Sequence, residues 1–138
     1  MNNNDFRALQ TIQVGDKKFK LYLSKAEIHQ IVSQLAKRIS NDLRDENPLF
    51  LAVLNGSFIF VADLMRELDF DAEISFVKMS SYLGTQSTGN VEQLIGINES
   101  IENRTIVVLE DIIDTGISME AMLQQLKTYN PKSIHLCT

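Results

Sequence analysis

A single cysteine, Cys137, stands among the 138 residues of the sequence. One thiol cannot form an internal disulfide bond, which favours a reducing compartment over an oxidising one. No apolar run approaches the roughly 18–20 residues that a membrane-spanning helix requires. The first residues, Met1–Asp5, contain neither the basic nor the apolar region of a signal peptide. We therefore predict a cytoplasmic protein that does not enter a membrane.

Basic residues are also scarce, since 13 lysines and arginines face 18 aspartates and glutamates and leave a net charge of -5. A nucleic-acid-binding protein needs a basic surface to replace the counterions on phosphates, so this balance argues against that class. A strongly anionic ligand would have to be held locally, by backbone amides or a metal ion, because the overall field does not attract it.

Linkers, internal repeats and low-complexity segments are absent too, so residues 1–138 are expected to form one domain. The apolar pattern predicts, in chain order, a hairpin (11–14 and 19–23), a helix opened by Ser24 and ended by 45–48, a strand (49–54), a helix (58–68), a strand (72–79), a polar loop (80–90), strands at 92–97 and 105–109, a helix (118–129) and a strand (133–137). Buried strands that alternate with amphipathic helices indicate an α/β fold, with helices flanking a mostly parallel central sheet. Ligands of such folds bind beyond the carboxyl ends of the strands, here after Leu54 and Leu109.

The interruption after Leu109 is an acidic turn between a buried strand and a helix. Its first half places Glu110 and Asp111 side by side, where carboxylates can accept hydrogen bonds from sugar hydroxyls or hold Mg²⁺ through water. Its second half, Asp114–Ser118, combines Gly116 for a tight turn with two hydroxyls and the amides of a helix N-terminus. These groups together form a phosphate cradle that needs no positive side chain.

A purely structural explanation accounts for the same turn. Asp114 or Thr115 could cap the helix while the two acids are solvated, and composition alone does not separate the two interpretations. The buried strand upstream weighs against the structural one, because two adjacent acids at its end need partners or open water.

Asn55-Gly56-Ser57 follows Leu54 and joins a strand to a helix, so its amides point at a second anion site. The structural alternative is an ordinary turn with Ser57 as the N-cap. Further along, Ser80–Asn90 is polar and is interrupted by two glycines, which is typical of a mobile loop or an exposed hairpin tip.

The hydrophobic strand, the acidic pair, two aliphatic residues and Asp114-Thr115-Gly116 together resemble the binding motif for phosphoribosyl pyrophosphate (PRPP) in the type I phosphoribosyltransferases. This resemblance implies the fold of that family, a mostly parallel sheet flanked by helices with a flexible flap hairpin. It also implies that Glu110 and Asp111 contact the ribose hydroxyls and hold Mg²⁺ indirectly. The residues that would surround the 5-phosphate are Asp114, Thr115, Gly116, Ile117 and Ser118.

Two further segments carry the resemblance. The loop at Asn55 and Gly56 is similar to the family's pyrophosphate loop, which often contains a non-proline cis peptide, here expected between Leu54 and Asn55. Some relatives have lysine in place of Asn55, so the pyrophosphate contact is expected to depend on amides and Mg²⁺. Ser81-Tyr82, followed by Gln-Ser-Thr-Gly, resembles the catalytic flap of the hypoxanthine-guanine branch, which closes over the reaction centre and excludes water.

The resemblance implies an enzyme of purine salvage that transfers the phosphoribosyl group of PRPP to N9 of hypoxanthine or guanine, giving IMP or GMP and pyrophosphate. Asp114 would be the base that takes the proton from purine N7. Two alternatives stay open, a phosphoribosyltransferase for xanthine, adenine or uracil and a PRPP-binding regulator without catalysis. Members of the family continue for several dozen residues that supply the purine pocket, so we expect residues 1–138 to lack that segment. Relatives are usually dimers or tetramers, and we expect a homodimer or homotetramer.

Overall fold

The computed structural model describes residues 11–83 and 90–138, with only the backbone described for 80–83 and 90–95. Strands β1 (Thr11–Val14) and β2 (Lys17–Lys20) form an antiparallel hairpin that turns at Gly15. Helix α1 (Lys25–Leu43) follows and continues into a short 3-10 helix, Arg44–Glu46.

A capping box opens α1, as the sequence predicted. The amide of Glu27 donates to the hydroxyl of Ser24 across 3.2 Å, and the amide of Ser24 donates to the carboxylate of Glu27 across 2.8 Å. Two amides of the first turn are thereby paired, so the helix begins at a defined residue. The 3-10 helix that follows α1 ends at Asn47, which has a left-handed backbone.

The main sheet has five strands in the spatial order β5-β4-β3-β6-β7. Its strands and the two remaining helices are β3 (Leu49–Val53), α2 (Phe58–Glu67), β4 (Glu73–Leu83), β5 (Asn90–Ile95), β6 (Thr105–Leu109), α3 (Ile117–Lys127) and β7 (Ser133–Cys137). β3 pairs in parallel with β4 and β6, and β6 pairs in parallel with β7, while β5 is antiparallel to β4. The predicted sheet is confirmed.

Helices cover both faces of this sheet. Side chains of β3 and β6 alternate between two buried clusters, so Phe50 and Val107 pack under α1 and α2 while Leu51 and Val108 pack under α3. Every residue of these two central strands is buried, which explains why each reads as a solid apolar run.

Some boundaries and faces differ from those predicted. The three- and four-residue spacing of apolar side chains predicts that Ile28 and Ile31 belong to the buried stripe of α1, but they are 44% and 53% exposed, because the helix first meets the core at Val32. The same spacing predicts that Phe58 points inward on α2, but it is 56% exposed, while Leu64 takes the buried place. β4 is longer than predicted because it leaves β3 after Val77 and continues against β5.

No helix within the described ranges is long and apolar enough to span a membrane.

Candidate functional site

The two interrupted loops meet at the carboxyl edge of the sheet. Val53 pairs with Val77, Ala52 with Leu109, and Leu109 with Cys137, so β3, β6 and β7 end side by side. The loop after β3 and the acidic turn after β6 are therefore neighbours, as the parallel topology predicted.

The acidic pair is held by backbone hydrogen bonds at its start. The amide of Glu110 donates to the carbonyl of Cys137 across 3.1 Å, and the amide of Asp111 donates to Oε1 of Glu110 across 3.1 Å. Partial burial, followed by a hydrogen bond to the Asp111 side chain and by that residue's charge, raises the pKa of Glu110 to about 7. Glu110 is thus only partly accessible to water, whereas Asp111 is exposed. Glu110 is therefore less solvated than the structural explanation supposes, whereas Asp111 agrees with that explanation.

The second half of the turn has the shape of an anion cradle. Gly116 is the N-cap of α3 and has a left-handed backbone with φ of 80°, a conformation that a side chain would disfavour. The cap residue offers no side-chain hydrogen bond to the first turn. The hydroxyl of Thr115 lies 3.5 Å from the amide of Ile117, which donates to it only at the limit of hydrogen-bond distance. Asp114 and Ser118 are both exposed beside this turn.

A pocket of about 310 Å³ opens between the turn and the sheet. Its polar side is formed by Glu110, Asp114, Thr115, Gly116 and Ser118. Its remaining lining is apolar and consists of Val53, Leu54, Met79, Ile112, Ile113, Met119 and Met122. The sequence singled out the polar residues. Met119 and Met122 stand in an apolar stripe whose helical spacing predicts core packing, and both are buried. The sequence missed Met79, Ile112 and Ile113 as lining residues, because nothing in their spacing distinguishes them from core residues.

The loop after β3 lies on the other side of the acidic pair. The peptide between Leu54 and Asn55 is cis, as the family resemblance predicted. The amide of Leu54 donates to the carbonyl of Val77 across 2.8 Å. Ser57 occupies the N-cap position of α2, but its buried hydroxyl donates to the carbonyl of Val53 and does not cap the helix. The alternative of an ordinary turn capped by the Ser57 side chain is therefore wrong.

Gly56 brings this loop into contact with the acidic pair. A β-carbon placed on Gly56 would lie 2.9 Å from Oδ1 of Asp111. Asp111 therefore faces the loop, while its neighbour Glu110 lines the pocket. The structure brings together the predicted residues of both loops at this edge.

The predicted flap is only partly within the described residues. The backbone at Ser81 and Tyr82 belongs to β4, where Ser81 pairs with Glu92 and Tyr82 with Val91 of β5. The hairpin arrangement of these two strands agrees with the expected flap. The remaining flap residues, 84–89, lie outside the described ranges.

A pair of carboxylates beside a helix N-terminus, at the carboxyl edge of a mostly parallel sheet, is an arrangement that α/β proteins use to bind anionic ligands such as phosphates. A sequence model for the phosphoribosyl transferase domain matches residues 21–138. The chain belongs to the phosphoribosyltransferase family.

Comparison with individual proteins shows which members of the family the chain resembles. The chain is 36% identical over 129 residues to a hypoxanthine-guanine-xanthine phosphoribosyltransferase of Tritrichomonas foetus, covering 94% of this chain and 70% of that protein. It is 37% identical over 122 residues to a hypoxanthine phosphoribosyltransferase of Buchnera aphidicola, covering 86% and 69%. Among solved structures, a variant hypoxanthine phosphoribosyltransferase of Trypanosoma cruzi complexed with the product IMP superposes with a TM-score of 0.74 at 30% identity, covering 91% and 69%. The predicted family and fold are confirmed.

Proposed function

We propose that this protein transfers the 5-phosphoribosyl group of PRPP to N9 of hypoxanthine or guanine and releases pyrophosphate. Relatives named for hypoxanthine and guanine bear out the predicted enzyme class, a phosphoribosyltransferase of purine salvage. The single observation that carries the proposal is the convergence of the phosphate cradle, the acidic pair and the loop after β3 at one edge of the sheet.

The cradle suits the 5-phosphate of PRPP. The turn from Asp114 to Ser118 leads into the N-terminus of α3, where backbone amides and the helix dipole favour an anion. Because the protein as a whole is negatively charged, this local field is what would hold the phosphate. The left-handed Gly116 lets the turn close around the ligand without a side chain in the way.

Glu110 and Asp111 would hold the ribose by accepting hydrogen bonds from its hydroxyls. The carboxylate oxygens of these two residues also suit Mg²⁺, because Mg²⁺ prefers carboxylate and water oxygens as ligands. The elevated pKa of Glu110, caused by burial and by the nearby Asp111 carboxylate, marks a place where negative charge lacks compensation. No group of three acidic, histidine or cysteine side chains in ranges 11–83 and 90–138 is arranged to hold an ion, so the remaining ligands would come from PRPP and water. When bound, Mg²⁺ supplies positive charge to the phosphates of PRPP.

Asp114 is the proposed catalytic base. Its carboxylate is exposed and lines the pocket next to the cradle, so it is open to a ligand, and the proton that it would take is the one at N7 of a bound purine. The amides of Asn55 and Gly56 would stabilise the charge that grows on the leaving pyrophosphate. Ser81 and Tyr82 would belong to the flap that excludes water while PRPP is activated.

The remaining parts of the prediction concern the wider protein. We propose that residues 1–138 belong to a single phosphoribosyltransferase domain, and that the protein acts in the cytoplasm as a homodimer or homotetramer. These statements follow from the family resemblance and are open to direct tests by cell fractionation and light scattering.

The activity is tested by incubating the full-length protein with PRPP, Mg²⁺ and separately hypoxanthine, guanine, xanthine and adenine, followed by chromatography of nucleotide and pyrophosphate. We expect IMP and GMP, with product formation in an Asp114→Asn variant reduced on the order of 100-fold or more. Glu120→Gln, on the same helix but outside the pocket, is the matched control and should retain activity. Product from adenine alone would move the protein to another branch, and PRPP binding without any product would indicate a regulator.

A further inference from the structure

Gly56 lies directly beside the carboxylate of Asp111, although the two residues belong to different loops. A β-carbon on Gly56 would stand 2.9 Å from Oδ1, 3.4 Å from Oδ2 and 3.5 Å from Cγ of Asp111. The first distance is too short for van der Waals contact between a carbon and an oxygen atom. Glycine is not demanded here by the backbone, because the φ of Gly56 lies outside the left-handed region. The neighbouring carboxylate is what leaves no room for a side chain.

The group that would have to move is the end of a flexible side chain. Asp111 is exposed, and a rotation about its side-chain bonds would relieve the contact without a shift of the backbone. Gly96 provides the opposite case, since a β-carbon there would stand 2.5 Å from the carbonyl oxygen of Phe76, which cannot rotate away. A methyl group at Gly56 should therefore leave the fold intact and displace the Asp111 carboxylate.

We propose that Gly56 is a positioning residue for Asp111. The missing side chain allows the carboxylate to lie against the loop after β3, and it couples the position of that loop to the position of the acid. This inference rests on the proposed function, in which Asp111 contacts the ribose of PRPP while the loop contacts its pyrophosphate. A carboxylate that lies at this junction would meet the ligand between its ribose and its pyrophosphate.

A double-mutant cycle on PRPP binding, measured by calorimetry with Mg²⁺ present, tests this coupling. Gly56→Ala should weaken PRPP binding on the order of tenfold, the scale of one misplaced hydrogen bond to a charged group. Asp111→Ala should weaken it by a similar factor. Adding Gly56→Ala to Asp111→Ala should cost little more, because no carboxylate is left to displace.

Gly15→Ala is a control for the added methyl group, since no atom lies within 4 Å of the new carbon, although the left-handed φ of 61° at Gly15 adds backbone strain that Gly56→Ala does not have. It should leave PRPP affinity unchanged. The melting temperature of Gly56→Ala should stay within about 2 °C of the parent protein, which separates repositioning from a loss of folding. Fully additive losses from Gly56→Ala and Asp111→Ala would overturn the inference.

A crystal structure of ligand-free Gly56→Ala gives a second, independent answer. We expect the Asp111 carboxylate to adopt a different rotamer while the backbone of residues 54–57 keeps its place. A displaced loop with an unmoved carboxylate would overturn the inference. Failure of the parent protein to bind PRPP would instead contradict the proposed function, and the crystal structure would still decide whether Gly56 positions the acid.

Discussion

The backbone amide of Glu110 donates a hydrogen bond to the carbonyl oxygen of Cys137 across 3.1 Å. This bond continues the pairing of β6 with β7 beyond the last residue of β6, so the end of β7 holds the first acid of the candidate site. The position of Glu110 thus depends on two strands, and this hydrogen bond uses only the backbone of β7.

The Cys137 thiol is predicted to be unreactive in the folded protein. It is buried, and this burial raises its pKa to about 11, so the reactive thiolate is suppressed at neutral pH. Alkylation by iodoacetamide at pH 8 should be slow in buffer and fast in 6 M urea. Because Cys137 is the only cysteine, mass spectrometry reports on it without interference. Rapid alkylation of the native protein would show that the end of β7 opens readily.

Glu110 is predicted to make the protein less stable as the pH rises. Its folded-state pKa of about 7 exceeds its ordinary value of 4.5, because burial and Asp111 disfavour the charged form. The contribution of Glu110 to the free energy of unfolding is therefore fully present below about pH 4.5, and it is lost as the pH rises through 7. Glu110→Gln should raise the melting temperature relative to the parent protein at pH 8, with the difference shrinking toward pH 5. Asp111→Asn serves as a comparison in which Glu110 is kept. It removes the neighbouring negative charge, so it should lower the pKa of Glu110 and favour its ionisation.

Glu46 is predicted to show the opposite pH dependence at the other end of the sheet. Its carboxylate pairs with Lys132 and accepts a hydrogen bond from Thr105 across 3.0 Å, and these contacts, Lys132 first, lower its pKa. The contribution of Glu46 to the free energy of unfolding is therefore present above its ordinary pKa of 4.5, and it is lost as the pH falls through the lowered pKa. Glu46→Gln should be less stable than the parent protein at pH 7, and the difference should narrow toward pH 3. Equal differences at both pH values would show that the ion pair does not contribute.

Loss of a buried leucine is predicted to destabilise the protein on either face of the sheet. Leu64 belongs to α2 and packs in the cluster that α1 and α2 form with the sheet, Leu126 belongs to α3 and packs on the opposite face, and both are fully buried. Replacement of either by alanine should lower the free energy of unfolding by about 2–5 kcal/mol, because apolar contacts are lost and a cavity remains. Leu136→Ala, at a side chain that is 41% exposed, should cost much less. Urea unfolding of the three variants measures these differences, and equal losses for all three would contradict the assigned core.

Local patterns in the chain predicted much of the fold. The capping box at Ser24, strands β6 and β7 and the order of helices and strands depend on neighbouring residues and on apolar periodicity, so they could be read without the structure. The exposure of Phe58 and the length of β4 could not, because they depend on where one element meets another. Sequence spacing says which residues share a face, but it does not say how far a packed neighbour extends.

The sequence by itself determined the residues of the phosphate cradle and the acidic pair, because their chemistry lies in one continuous turn from Glu110 to Ser118. Only the tertiary structure decided that Glu110 faces a pocket with Met79 while Asp111 faces Gly56. These contacts join residues far apart in the chain, and they arise because parallel strands align their carboxyl ends at one edge. The raised pKa of Glu110 has the same origin, since burial is a property of the assembled site and not of the sequence around it.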